Sequence, residues 1–165
     1  MRKLIVVDAA VLLFAALAAA AGAQEKAAMP ADHGVFAPAD IQWQAAPPVL
    51  PAGGKIAVLE GDPTKEGIFT MRLSAPAGYR IAPHWHAAFE HVTVITGTVG
   101  LGMGDVFDKA KGHTLPPGGF AYMAPGSHHF FWTESDAVIQ VHAMGPWQLY
   151  YVNPADDPRK MAEKK

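Results

Sequence analysis

From residue 55 onward, short β-prone apolar runs alternate with turn signals. The runs cover 55–60, 68–73, 91–95, 98–103, 120–123, 130–133, 137–142 and 148–152. Between them stand Gly61-Asp62-Pro63, Ala75-Pro76-Ala77-Gly78, Gly104-Asp105, Pro116-Pro117-Gly118-Gly119 and Pro125-Gly126. Valine, isoleucine and aromatic residues suit a pleated, half-buried surface, and Gly, Pro and Asp suit the reversals between strands. Many short strands at close spacing, with no sustained 3.6-residue period, predict an all-β sandwich or small barrel over 55–152. Within 137–142, Gln140 and His142 share one face of the strand while Ile139 and Val141 share the other.

The segments before and after read differently. Residues 24–54 are rich in Ala and Pro (Pro30, Pro38, Pro47, Pro48, Pro51), which predicts an extended N-terminal arm. Ile41 and Trp43 in this arm need a surface to dock on, either the same barrel or a second subunit; the expectation is a homodimer. Residues 1–23 open with Arg2 and Lys3 and continue as an apolar stretch broken by Asp8. The stretch closes on Ala21-Gly22-Ala23, the small-x-small pattern of a signal peptidase site, which predicts a removed signal and a periplasmic or secreted protein. A membrane anchor is the competing reading, disfavoured by the alanine richness and by Asp8. Residues 153–165 form a polar C-terminal tail.

Composition narrows the function classes. The 165 residues carry 17% charged side chains and a formal net charge of −2, without a basic block inside the predicted barrel. No electrostatic footprint for nucleic acid is present, and no membrane association is expected once the signal is removed. There is no cysteine, so a metal site in this chain has to be built from nitrogen and oxygen donors.

Such donors cluster in Gly78-Tyr-Arg-Ile-Ala-Pro-His84-Trp-His86-Ala-Ala-Phe-Glu90. If extended, His84 and His86 point to one face about 7 Å apart along the backbone and can converge on a single ion. Glu90 has the same parity and brings a carboxylate to that face, provided no bulge intervenes. His91 and His113 are expected on the outer face or in loops, and His33 in the arm.

Gly78, His84, His86, Glu90 and Gly97 match G-x5-H-x-H-x3-E-x6-G at every defined position, and the chain from about 55 to 150 thereby resembles the cupins. The resemblance implies a jelly-roll β-barrel holding one divalent metal ion, with a fourth ligand from a second motif, G-x5-P-x-G-x2-H. That motif is altered here between Gly118 and His129: Ala124 stands at the expected proline, and the proline has moved to Pro125. Alignment on Gly126 favours His129 as the ligand, with His128 the alternative. The implied metal set is therefore His84, His86, Glu90 and His129.

Three imidazoles and one carboxylate leave open positions on an octahedral ion. The expected function is an exported metal-dependent oxidoreductase acting on a small organic acid, phenol or saccharide. The alternative is a non-catalytic metal- or carbohydrate-binding module. His142 and Gln140 are the candidates for handling protons or orienting substrate; the other reading of His142 is an exposed strand histidine. Affinity order favours copper or zinc as the ion, with iron and manganese admitted if supply overrides affinity.

Overall fold

The computed structural model describes residues 33–162. The expected signal peptide and the first part of the arm, 24–32, lie outside the described residues.

Among the described residues, eleven strands form two antiparallel sheets. One has the order β1 (Gln44–Ala45), β2 (Lys55–Glu60), β3 (Gly67–Ala75), β10 (Ala137–Gly145), β5 (Glu90–Thr96), β8 (Phe120–Met123). The other has the order β11 (Tyr150–Tyr151), β4 (Arg80–Trp85), β9 (His129–Thr133), β6 (Val99–Met103), β7 (Gly112–Leu115). This is the jelly-roll arrangement of a cupin. Period-two burial explains why these segments are strands: in β5, Glu90, Val92 and Val94 are buried while His91, Thr93 and Ile95 are only partly so. In β10 the inward set is Ala137, Ile139, Val141 and Ala143. Both sheets contribute to one core, Val92, Val94, Ile139 and Val141 from the first and Ile81, Val99, Leu101 and Phe131 from the second.

All eight predicted runs contain a strand, with ends shifted by a few residues at most. Three strands escape the hydrophobic pattern: β1, two residues long and inside the segment expected to be an extended arm, and the longer β7 and β4. β7 contains Gly112, His113 and Thr114 and carries little apolar signal. β4 contains Pro83 and departs from alternation, because its pairing with β9 slips: Ile81 faces Phe131, but His84 faces His129, three steps on one strand against two on the other. That bulge lets Ile81 and His84 both turn inward.

The described part of the arm folds back on its own barrel. β1 pairs with β2, Tyr79 Oη donates to the Pro51 carbonyl at 2.8 Å, and Tyr151 Oη donates to the Val49 carbonyl at 2.8 Å. Ile41 is 8% exposed within the single chain, so one of the two residues behind the dimer expectation is buried without a partner. The tail forms a 3-10 turn at Pro154–Asp156 and a short helix, α1 (Pro158–Ala162).

Candidate metal centre

Three separate segments bring the four expected ligands together. His84 sits at the end of β4, opposite His129 at the start of β9, and their rings lie 4.2 Å apart. His86 follows β4, 5.1 Å from the His84 ring and 5.4 Å from the His129 ring. The candidate donor nitrogens of these three histidines all lie within 4.8 Å of one another. Glu90 arrives from the facing sheet as the first residue of β5, and its Oε2 stands 3.1 Å from His129 Nε2 and 3.6 Å from His86 Nε2. Its route corrects the parity argument, which continued a single strand from His86. The chain leaves one sheet and enters the other between them, so Glu90 looks back at the histidines across the barrel.

Each imidazole is held by the main chain through Nδ1. His84 Nδ1 is 2.8 Å from the Ala82 carbonyl, His129 Nδ1 is 2.9 Å from the Ser127 carbonyl, and His86 Nδ1 is 2.7 Å from the Gln148 carbonyl. A carbonyl can only accept, so Nδ1 carries the proton and Nε2 presents a lone pair. The Ser127 contact depends on the turn before β9, where Gly126 adopts φ +74° and donates its N–H to the His86 carbonyl at 2.8 Å. The His86 ring is also stacked on Trp147, 3.9 Å between centroids and 17° between planes. Trp147 is in turn held by its main-chain N–H, which donates to the Pro63 carbonyl, and by an edge contact of its ring with Phe69.

The result is a buried meeting of acceptors. His84, His86 and His129 are 3%, 3% and 2% exposed, and Glu90 is 8% exposed. His86 Nε2 and His129 Nε2 have no hydrogen-bond partner, the nearby Glu90 oxygen notwithstanding. Burial, together with the charges of the neighbouring imidazoles, pushes His84 down to about 3, and burial pushes His86 down as well. Burial alone would raise Glu90, but His129 and the other imidazoles outweigh it and hold the carboxyl below its usual range. Lone pairs crowded together without a donor are costly unless a cation joins them. The donor set therefore fits a divalent metal ion: the three histidines can hold one, and Glu90 stands in reach to complete three nitrogens and one oxygen.

The remaining expected residues fall elsewhere. His128 is turned outward, its Nδ1 2.6 Å from Asp105 Oδ1. His142 and Gln140 are corrected: they lie on the outer face of the first sheet, because Ile139 and Val141 occupy the inner one. There His142 Nδ1 pairs with Thr70 Oγ1 at 2.9 Å, and Gln140 Oε1 accepts from Arg72 Nε at 3.2 Å. Neither lines the cavity. Trp147 and the Gln148 carbonyl were not anticipated. A main-chain acceptor leaves no mark on residue type, and Trp147 stands more than sixty residues from the ring it covers.

The histidines and Glu90 open onto a cavity of about 640 Å³ between the sheets. Its other buried walls are apolar, among them Leu73, Val92, Leu101, Phe131, Ile139 and Val141.

Comparison with known proteins agrees with this architecture. The family described as "Domain of unknown function (DUF4437)" matches residues 16–150. No curated protein matches the sequence. Among solved structures, the polyketide cyclase RemF from Streptomyces resistomycificus is similar at a TM-score of 0.64 and 16% identity, covering 79% of this chain and 93% of its own. A candidate acetylacetone dioxygenase from Methylibium petroleiphilum PM1 is similar at 0.57 and 21%, covering 76% and 85%. An RmlC-like cupin from Shewanella frigidimarina is similar at 0.54 and 13%, covering 68% and 90%. At these identities the likeness speaks for the cupin fold alone.

Proposed function

We propose, for a chain that belongs to the DUF4437 family and is folded as a cupin, that it is a metal-dependent oxidoreductase working on a small organic molecule inside the barrel. The observation that carries the reading is the convergence of three main-chain-anchored imidazoles and one carboxylate without a donor among them. A divalent ion bound there supplies Lewis acidity and open coordination positions. The chain's own residues do the rest. The carbonyls of Ala82, Ser127 and Gln148 fix the tautomer and aim of the three rings, and Trp147 covers one face of His86. The apolar walls keep bulk water from the reacting group.

Among the described residues, the buried walls supply no acid or base beyond the four site residues. That favours chemistry carried by the ion itself over a reaction that relies on a separate general base. The same observation supports a second reading, a binding module without turnover. For the ion we propose copper or zinc, on the affinity order for nitrogen and oxygen donors and on the expected export before loading. Copper can cycle with dioxygen and suits the oxidoreductase, whereas zinc has no redox chemistry and would shift weight toward the binding module. Oxygen consumption by protein loaded in turn with copper, zinc, iron and manganese, against a panel of phenols, enols and acids, tests the proposal. Uptake that depends on His84 supports it; full ion occupancy with no turnover of any compound favours the binding module.

A further inference from the structure

Organic acids, phenols and saccharides make opposite demands on a cavity wall. A saccharide carries a hydroxyl on nearly every carbon, and a polycarboxylate carries several charges; each such group stripped of water needs a partner in the protein. Here every buried residue that lines the cavity, apart from His84, His86, Glu90 and His129, is apolar. The other polar lining residues are at least partly open to solvent: Gln44, Thr64, Gln148, Tyr150 and Arg159 are exposed and Asp62 is half-buried. Arg159, the one cation among them, is already engaged by both oxygens of Asp157, so it is not held ready for an acidic ligand. At about 640 Å³ the space lies within the range of ~300–1,000 Å³ that encloses a compact organic ligand.

We infer that the occupant is an apolar molecule with a single oxygen-bearing end, of the substituted-phenol type, and is neither a saccharide nor a polycarboxylate. This rests on the reading that the His–Glu group holds an ion, and it adds the class of molecule that ion meets. The oxygen end is the only part of such a ligand that needs a polar partner, and among the described buried lining residues the His–Glu group is the place for it. The ring and its substituents lie against Leu101, Phe131, Ile139 and Val141 and gain from leaving water. Further polar substituents are tolerated only where they reach the exposed lining.

Calorimetric titration of the full chain, ion-loaded and ion-free, with 4-ethylphenol, glucose, glucuronate and citrate tests the inference. The expected result is binding of the phenol at least ~100-fold tighter than glucose or citrate, with a negative heat-capacity change. Val141→Thr and, as a second wall variant, Val92→Thr place a hydroxyl on the apolar wall with little change of volume. Each is expected to weaken the phenol by ~10-fold at unaltered ion content. Glucose, glucuronate or citrate binding as tightly as the phenol overturns the inference, as does unweakened phenol binding in both folded wall variants. The two readings fail separately. A chain that takes up no ion but prefers the phenol defeats the metal reading and upholds this one. A chain that holds its ion and prefers the sugar does the reverse.

Discussion

His129 and His128 are neighbours in the chain, yet the first side chain is 2% exposed among imidazoles and the second is 37% exposed beside Asp105. His142 repeats the contrast across the first sheet, on the outer face of the strand whose Ile139 and Val141 line the cavity. His128 and His142 are partnered by a carboxylate and a hydroxyl, groups that satisfy a ring in either protonation state. The inner three have one nitrogen committed to a carbonyl and the other turned toward lone pairs. What separates a site from a surface here is burial, a fixed tautomer and the lack of a donor, and not the number or spacing of histidines.

Removing the inner set should have the largest effect. The paired change His84→Ala with His86→Ala is expected to take ion content from about one per chain to near zero by elemental analysis. The β-rich circular dichroism spectrum should persist, since the shared apolar core and not the ion holds two sheets of this size. Next comes the contrast between neighbours. His129→Ala should weaken ion binding by more than ~100-fold, beyond the usual effect of losing a group that only supports a ligand, while His128→Ala changes it less than about twofold. Competition against a chelator indicator reads both, and the reverse order would refute the inward placement of His129.

A smaller effect is expected at the support. Trp147→Ala removes the ring stacked on His86 and loosens the segment that presents the Gln148 carbonyl, so ion affinity should fall by roughly 10–100-fold without complete loss. Trp147→Phe should recover part of it. Smallest of all, Gln140→Ala and His142→Ala should leave ion content and affinity unchanged. Each breaks one outer-face hydrogen bond, with Arg72 or Thr70, so a stability change of about 1 kcal/mol in urea unfolding is the whole expected consequence. A drop in ion affinity from either would erase the distinction between the faces.

The parts of this arrangement readable from residues alone are those set by local chemistry. β2, β5, β8 and β10 announce themselves by β-branched or aromatic residues between turn signals, and the motif picks out His84, His86 and Glu90 while leaving His129 and His128 as alternatives, which burial then separates. β4 was hidden because Pro83 and the bulge interrupt the alternation, and that same irregularity aims His84 inward. Parity correctly grouped Gln140 with His142 and Ile139 with Val141, but parity does not say which face is inside; the apolar pair decides it. Glu90 reached the site by a crossing between sheets that no single-strand argument contains. The stacking of Trp147 and the three carbonyl anchors depend on tertiary placement and leave no sequence pattern.

On the function proposed above, the buried acceptors hold one ion through three imidazole nitrogens and Glu90. Loading the ion-free protein with copper(II) and recording ion content together with the electron paramagnetic resonance spectrum tests it most directly. One copper per chain is expected, with hyperfine structure from three imidazole nitrogens that loses one nitrogen in His129→Ala. Copper held without imidazole nitrogens, or no stoichiometric uptake of copper, zinc, iron or manganese by folded protein, would contradict it.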